Sequence, residues 1–348
     1  MTSTRSPTVV DVANRAGTSR QTVSNVIHGK THVREQTRER VLAAIAELGY
    51  RPNVAARYLK RQQTSVLGVV VGDLGNPFYS EVAAHIERHA AHHGYTMLLA
   101  STGGDREAER TRVESLLEHR VAAIIFLAYS RNRRVIEAAD RHTRCVFVGG
   151  LPSPHGVFIG LDERKSAATA TSYLVGLGHR RIAYVNTTVS SHPDVDRARL
   201  TGYRRALSKA GIERDDALVV RLDSDVETPA STRQEALREL LTGPRRPTAI
   251  FAAADYTALQ AMDCADGLGL QVPADLSIVG FDNIALVALE RISLTTVAYP
   301  FDELARLSVE AAVGVLEESS TDGDRVLEPT LIVRGSTAPP PRRRRDPR

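Results

Sequence analysis

Residues 8–29, TVVDVANRAGTSRQTVSNVIHG, predict two short helices joined by a tight turn. Thr8 and Asp11 have the spacing of a capping box, in which a hydroxyl and a carboxylate each bind a free backbone N–H at a helix start. Gly17 is suited to end that helix, because glycine readily adopts the left-handed conformation of a C-terminal cap. A second helix from Arg20 to about Ile27 then completes the pattern of a helix-turn-helix.

The second of these helices has an apolar face and a polar face. Ser19 is a good N-cap, and Val23, Val26 and Ile27 share the face that packs on the first helix. In a helix-turn-helix the second helix lies in the major groove of DNA, where Arg and Gln bind base edges and Ser and Thr bind bases or phosphates. The predicted DNA-contacting residues are therefore Arg20, Gln21, Thr22, Ser24 and Asn25.

A third helix is predicted from about Arg34 to Leu48, closed by Gly49. Its expected inward residues are Val41, Leu42, Ile45 and Leu48. The alternative is a small helical bundle without a DNA-binding role, but that leaves the polar donors crowded on the second helix unexplained.

Charge separates the chain into three parts. Residues 1–64 carry 11 Lys/Arg against 4 Asp/Glu, residues 65–338 carry 29 against 36, and residues 339–348 carry 5 against 1. A basic head on an acidic body is typical of nucleic-acid binding by the head alone. A solvated basic face is the plainer alternative.

The length of 348 residues, with 42% apolar residues, indicates more than one domain. The first residues lack the apolar stretch of a signal peptide, and no run approaches the length of a membrane span, so we expect a cytoplasmic protein without a membrane partner. Cys145 and Cys264 lie far apart in apolar segments, as free thiols in a reducing compartment would.

From residue 65 onward, short β-branched runs alternate with amphipathic stretches. Strands are predicted at 65–71, 95–101, 122–128, 145–149, 181–186, 249–255 and 276–282, with helical patterns at 79–93, 106–119, 197–210 and 256–268. Alternation of this kind favours parallel sheets covered by helices on both faces. The expected fold is thus a small all-α helix-turn-helix head followed by an α/β body of two doubly wound parallel-sheet lobes.

Several stretches resemble the lac-repressor-like (LacI/GalR) family of bacterial transcription regulators. They are DVANRAGTSRQTVS, TRERVLAAIAELGYRPN, LGVVVGDLGNPFYSEV, LGHRRIAYV, RLTGYRRAL and LSIVGFDN, and they cover nearly the whole chain. The resemblance implies a regulator, with repression expected, that is controlled by a small molecule. It also implies that Arg20 and Gln21 lead the recognition helix, whereas Asn25 stands where many members have Arg.

The resemblance also implies a domain order. Residues 1–52 form the DNA-binding domain, 53–63 a hinge helix, 64–338 the effector-binding domain and 339–348 a disordered basic tail. Within the hinge, Asn53, Ala56 and Leu59 are expected to contact DNA, Leu59 as an apolar wedge in the minor groove. An ordinary linker leucine is the alternative.

The resemblance implies a periplasmic-binding-protein-like body, with the chain crossing between lobes near residues 162, 293 and 323. The expected N-lobe is 64–162 with 294–322, and the C-lobe is 163–292 with 324–338. Ligands of open α/β sheets bind beyond the carboxyl ends of the strands. The predicted ligand-binding residues that follow strand ends are Asp73, Asn76, Phe78, Tyr79, Asp255 and Asp282. The resemblance implies that Arg199 also contacts the effector, with Asp282 as its partner across the cleft. Each of these residues could instead be a structural loop residue.

The ligand class stays open as sugar, sugar phosphate or nucleobase-like. Ser224 falls where many family members have an aromatic residue, and Ala254 replaces a frequent amide, so the pocket is expected to be wider or less sugar-like than in the best-known members. A homodimer is the minimum unit for a pseudo-palindromic operator, since each half-site takes one head. The Arg run at 342–345 is expected to add nonspecific DNA affinity.

Other classes fit less well. None of the patterns GxxxxGK[ST], GxSxG, HExxH or CxxC occurs in the chain, so we expect neither an enzyme nor a catalytic residue. The histidines at 85, 89, 92 and 93 could bind a metal, but a solvent-facing or interface helix is favoured, and no cofactor is expected. A free-standing solute-binding protein would need an export signal and no DNA-binding head.

Leu59→Ala tests the wedge. Loss of an apolar side chain from the minor groove should weaken specific operator binding by about tenfold or more, because the bent duplex loses its inserted group. Gel shifts with an operator selected from random duplexes measure this, with effector affinity as the control. Unchanged operator affinity would remove Leu59 from the interface.

Overall fold

The computed structural model describes residues 7–27, 30, 32–50, 64–127, 132–153, 155–188, 193–223, 230–314 and 323–341. The chain divides into two compact units, Met1–Thr64 and Ser65–Arg348. The first is called the head and the second the body.

The head contains three helices: α1 (Val9–Ala16), α2 (Arg20–Ile27) and α3 (Glu35–Leu48). The predicted capping box is confirmed, because Thr8 accepts from the N–H of Asp11 and the Asp11 carboxylate accepts from the N–H of Thr8 at 2.7 Å. Gly17 and Gly49 both adopt the left-handed conformation at the C-caps of α1 and α3. The turn signals in the sequence therefore set the helix ends.

The core of the head is made by small and β-branched residues of all three helices: Val12, Ala13, Ala16, Val23, Val26, Val41 and Ala44. The expectation that Leu42 points inward is wrong, since 51% of this residue is exposed. Val41, Ala44, Ile45 and Leu48 follow helical spacing on one face of α3, and Leu42 lies about 100° away from Val41 around the helix. Ala44 takes the buried place instead.

One six-stranded parallel sheet forms the N-lobe of the body. Its order is β11-β5-β4-β3-β1-β2. The strands are β1 (Val66–Val71), β2 (Thr96–Ser101), β3 (Ala123–Phe126), β4 (Arg144–Val148), β5 (Val157–Leu161) and β11 (Arg325–Leu327). The helices of this lobe are α4 (Pro77–His92), α5 (Arg106–Glu118), α6 (Arg133–Asp140) and α11 (Phe301–Val313).

A second six-stranded sheet forms the C-lobe, in the order β12-β10-β9-β8-β6-β7. It is parallel except for β12, which runs antiparallel to β10. Its strands are β6 (Ile182–Thr188), β7 (Val219–Asp223), β8 (Ala249–Ala252), β9 (Ser277–Asp282), β10 (Thr295–Ala298) and β12 (Thr330–Ile332). Its helices are α7 (Glu163–Gly176), α8 (Pro193–Lys209), α9 (Ala230–Thr242) and α10 (Asp255–Gly267), with short 3₁₀ turns at Asp216–Leu218 and Ala285–Ala288.

The chain crosses between the lobes three times. The first crossing, between Leu161 and Glu163, lies where the sequence places it. The second follows Ala298 rather than residue 293, because the buried β-branched run of β10 extends the C-lobe sheet before Phe301 begins α11. The third lies between β11 and β12 rather than near 323, because β11 still pairs with β5 of the N-lobe.

The carboxyl ends of the strands in both sheets border a cleft between the lobes. Glu81 of α4 contacts Ala285 across this cleft, with the Ala285 N–H 2.9 Å from a Glu81 carboxylate oxygen. Tyr299 and Glu163, at two of the crossings, are also in contact. Residues that follow the strands therefore converge here, as open α/β sheets require.

Gly202 of α8 is packed against α7. A Cβ at this position would lie 2.2 Å from the carbonyl oxygen of Arg164, so the two helices approach too closely for any side chain. Gly176, at the end of α7, has nothing within 4 Å of the same added atom.

We expect Gly202→Ala to lower the free energy of unfolding by about 1–3 kcal/mol, because α7 and α8 must separate. Gly176→Ala is the matched control and should be neutral or stabilising by up to about 1 kcal/mol, since alanine lowers the entropy of the unfolded chain. Urea unfolding measures both. Equal effects of the two substitutions would contradict the close packing.

Candidate functional site

The first candidate site is the polar face of α2 in the head. Arg20 and Gln21 are exposed, and Thr22, Ser24 and Asn25 are half-buried. Ser19 accepts from the N–H of Thr22 at 3.1 Å, which caps the helix as the sequence predicts. The residues are thus presented on one short helix whose first turn is held in place.

A chain of side-chain hydrogen bonds runs along this face. Gln21 Nε2 donates to Asn25 Oδ1 at 3.1 Å, and Asn25 Nδ2 lies 3.1 Å from His32 Nε2. The helical spacing of Gln21 and Asn25 predicts their contact, whereas His32 lies beyond the helix and carried no signal in the sequence. These bonds fix the orientation of the Asn25 amide.

Three predicted site residues, Asn53, Ala56 and Leu59 of the predicted hinge, lie outside the described residues. Ser224, the position where many family members have an aromatic residue, lies outside them as well.

In the body, Asp73 and Asn76 follow β1 and have local partners. Asp73 accepts from the N–H of Gly75 at 2.8 Å, and Asn76 caps α4 by accepting from the N–H of Phe78 at 3.1 Å. These are ordinary turn and cap bonds. Asp73 is exposed all the same, so its second carboxylate oxygen remains available at the strand end.

An aromatic cluster follows these loop residues. The ring centroid of Phe78 lies 5.2 Å from those of Tyr79 and Tyr299 and 5.8 Å from that of Phe301. Burial, and then the negative charge of Asp282, raise the pKa of the Tyr79 phenol well above its usual value. Tyr79 of the N-lobe therefore lies close to a carboxyl group of the C-lobe.

Arg199 of α8 is a largely buried cation at the base of the cleft. Its Nε donates to Glu163 Oε2 at 2.7 Å, and its Nη1 donates to the carbonyl oxygen of Ala253. The guanidinium carbon also lies 3.9 Å from the ring centroid of Phe281, the geometry of a cation–π contact. Only 13% of the Arg199 side chain is exposed.

Glu163 and Tyr299 belong to the same buried group as Arg199, and neither was predicted from the sequence. Glu163 is the first residue of α7, and its Oε1 accepts from the Tyr299 hydroxyl at 2.5 Å. Both residues are almost entirely buried. The only sequence signal was position, since Glu163 follows a strand end at one lobe crossing and Tyr299 precedes a helix at another.

The predicted pairing of Arg199 with Asp282 across the cleft needs correction. Asp282 ends β9, in the same lobe as α8, and the ion pair of Arg199 is with Glu163. Asp282 is nevertheless close, since the charge of Arg199 partly offsets the burial that raises the pKa of this carboxyl. It also accepts from the N–H of Asp255, which begins α10.

Asp255 links α10 to β10 and to the segment after β9 by hydrogen bonds beneath the cleft. It is fully buried, Oδ1 accepts from the Thr296 hydroxyl at 2.6 Å, and Oδ2 accepts from the N–H of Ile284 at 2.9 Å. Burial raises the pKa of Asp255 to about 6, against the opposing effect of these donors. Its predicted ligand contact stays a prediction, whereas its structural role is explicit.

A group of polar side chains at the carboxyl end of β6 was also not predicted from the sequence. Asp196, in the first turn of α8, accepts from Asn186 Nδ2 at 2.5 Å and from the Tyr184 hydroxyl at 3.0 Å. Arg221 of β7 lies 3.3 Å from the second Asp196 oxygen. The strand end at Asn186 was the available signal.

The histidines of α4 contact a carboxylate. His85 and His89 lie 3.2 and 3.1 Å from Asp302 Oδ1, and Arg88 lies 3.3 Å from the same atom. Among the residues that the structure describes, no group of three metal-ligating side chains is found. Over the same ranges, no helix combines the length and apolar character needed to cross a membrane.

Comparison with known proteins identifies both parts. Residues 8–53 match the model described as bacterial regulatory proteins, lacI family, and residues 171–337 match that of a periplasmic binding protein-like domain. The ribose operon repressor of Escherichia coli K12 is 33% identical over 333 residues, which are 94% of this chain and 99% of that protein. The chain belongs to the lacI family of bacterial regulatory proteins. It is therefore a DNA-binding transcription regulator with an effector-binding body.

Two solved structures of similar regulators agree with the fold. A lac repressor dimer bound to operator and the anti-inducer ONPF superposes with a TM-score of 0.81 at 30% identity, covering 96% of this chain and all of that one. A complex of the regulator CelR with cellobiose gives a TM-score of 0.65 at 30% identity, covering 95% and 99%. The predicted head and two-lobed body are confirmed.

The raised pKa of Asp255 predicts how stability changes with pH. Because its folded pKa of about 6 exceeds the ordinary value of 3.8, the folded protein holds a proton that the unfolded chain releases, and the free energy of unfolding falls as pH rises from about 4 to 6. Because asparagine cannot ionise, Asp255→Asn should reduce this decrease in the free energy of unfolding by an amount of the order of 2 kcal/mol.

Urea unfolding at several pH values measures this slope. Asp216→Asn is the control, because Arg214 lowers the pKa of the exposed Asp216 carboxyl. Replacing a carboxyl with a lowered pKa cannot reduce the loss of stability as pH rises. An unchanged slope in Asp255→Asn would show that Asp255 titrates normally.

Proposed function

We propose that this lacI-family regulator is a repressor that binds a pseudo-palindromic operator as a homodimer and responds to a sugar-like effector in the cleft. The observation that carries the proposal is the cleft floor, where Arg199, Glu163 and Asp282 meet aromatic rings. The binding of DNA by the head follows from the family, and the residues that read it are part of the proposal.

The operator contacts proposed for the head are those of α2. Arg20 and Gln21 are exposed at its start, with Thr22, Ser24 and Asn25 beside them. Asn53, Ala56 and Leu59 remain proposed contacts of the hinge. A dimer is proposed because the lac repressor is solved as a dimer on its operator, and two heads match two half-sites.

The proposed effector contacts combine charge and aromatic surface. Arg199 of α8 and Asp282 at the end of β9 offer a donor and an acceptor, while Phe78 and Tyr79 provide rings. Hydroxyl groups bind such pairs with charge-assisted hydrogen bonds. CelR is solved with cellobiose, and another relative is named for a ribose operon, which supports a sugar-like ligand.

Effector control is proposed to act by population shift. A ligand that binds one arrangement of the two lobes more tightly stabilises that arrangement, and a dimer would pass the change to its heads. We further propose that the protein catalyses no reaction and acts in the cytoplasm, on the nucleoid when operator-bound. Its relatives are named as regulators.

Gln21→Ala tests sequence reading by α2. Loss of a bidentate base contact should weaken binding to the selected operator by about 1–3 kcal/mol, equal to roughly 5- to 150-fold, and relax the preference at one base pair. Fluorescence anisotropy with operator and scrambled duplexes at several salt concentrations measures this.

Arg15→Gln is the matched control, because Arg15 pairs with Glu47 of α3 at 2.7 Å. It should leave specific binding nearly unchanged. Equal losses on operator and scrambled duplexes in Gln21→Ala would assign Gln21 to backbone contact alone.

A further inference from the structure

Glu163 is a buried carboxylate whose two oxygens are both occupied by groups of the protein. Arg199 Nε donates to one oxygen at 2.7 Å and the Tyr299 hydroxyl donates to the other at 2.5 Å. Only 1% of Glu163 is exposed. In such a setting a carboxylate and a guanidinium interact strongly, because water does not screen them.

The positive charge of Arg199 is therefore neutralised before a ligand arrives. Its Nη1 also donates to the carbonyl of Ala253, and the guanidinium lies over the ring of Phe281. A ligand meets a guanidinium that can still donate hydrogen bonds but carries little unbalanced charge.

The surroundings add further acidic groups. Asp282 is buried beside this pair, and Asp255 is buried beside Asp282. Arg334 is the guanidinium near Asp255. Arg334 donates to Asn283 Oδ1 and to the carbonyl of Leu294, each at 2.7 Å. Burial raises the pKa of both aspartates, so this region already opposes additional negative charge.

We propose that Glu163 determines the charge of the effector: by neutralising Arg199 it makes the cleft accept an uncharged polyhydroxy ligand and reject phosphorylated or carboxylated counterparts. The proposal rests on the proposed function, that the cleft binds a small-molecule effector. An uncharged ligand exchanges water for hydrogen bonds to Arg199 and Asp282. An anion loses its hydration without gaining an unpaired cation.

The first measurement identifies the ligand. The full chain is mixed with a bacterial metabolite extract and separated by gel filtration, and mass spectrometry identifies what it retains. Arg199→Lys is the comparison, because lysine keeps a charge opposite Glu163 but loses the planar donor group. A compound retained by the wild type and lost by this variant is assigned to the cleft.

The second measurement tests the role of Glu163. Calorimetry gives the affinities of the retained compound and of its phosphate ester for the wild type, Glu163→Gln, Tyr299→Phe and Glu118→Gln. Glu118 is an exposed residue at the end of α5, so its substitution removes one negative charge away from the cleft. Tyr299→Phe removes the hydrogen bond to Glu163 but leaves the negative charge of Glu163 in place.

We expect the retained compound to be uncharged and its ester to bind the wild type about 100-fold more weakly. Glu163→Gln should reduce that ratio by about tenfold or more, because Arg199 loses its counter-charge. Tyr299→Phe and Glu118→Gln should show the same ratio of the two affinities as the wild type.

An anionic compound in the cleft, or an unchanged ratio in Glu163→Gln, would overturn the proposal and leave the proposed function standing. If the wild type retains no compound that Arg199→Lys loses, the result would count against effector binding in the cleft. It would then count against both the role of Glu163 and the proposed function. The charge of the retained compound tests the proposal on the wild type alone, even if a variant does not fold.

Discussion

The ion pair between Arg199 and Glu163 joins α8 of the C-lobe to the first crossing between the lobes, where Glu163 begins α7. Tyr299, which completes the group, lies at the second crossing. Removing two charges from water is expensive, so such a pair persists only where other donors and acceptors complete it. The Tyr299 hydroxyl and the Ala253 carbonyl do so here.

This arrangement places the cleft chemistry and the lobe connections in the same few residues. Under the proposed function, a ligand that contacts Arg199 acts on a residue that is bonded to Glu163 at the first crossing, and Glu163 is bonded in turn to Tyr299 at the second. A change in those bonds is a change in how the lobes are held, which is what a population-shift mechanism requires. The tight packing of Gly202 against Arg164 keeps α7 and α8 at a fixed separation. The proposed coupling therefore needs no long pathway inside the body.

The sequence predicted what depends on local signals. Thr8, Asp11 and Gly17 act within one helix, so their roles in the head could be assigned directly. The strand ends at Asp73, Asp255 and Asp282 were found because β-branched runs are visible as patterns. The fold and family were confirmed, whereas the residue-level contacts with DNA and ligand stay predictions.

What could not be predicted depends on tertiary contacts. Glu163 and Arg199 are 36 positions apart, and only the packing of α7 on α8 brings them together. Asp255 resembles a ligand residue by its place after a strand, yet Thr296 and Ile284 occupy its oxygens. Leu42 and the lobe boundary at β10 were misassigned because apolar residues alone do not reveal which neighbour buries them.

A double-mutant cycle on the free energy of unfolding tests most directly whether Arg199 and Glu163 hold this floor together. The variants are Glu163→Gln, Arg199→Met and the two combined. Each single substitution should destabilise the body by about 3–5 kcal/mol, because it leaves a buried charge unpaired. The combined variant should lose at least about 2 kcal/mol less than the two single losses added together. Losses that add to within about 0.5 kcal/mol would contradict the account.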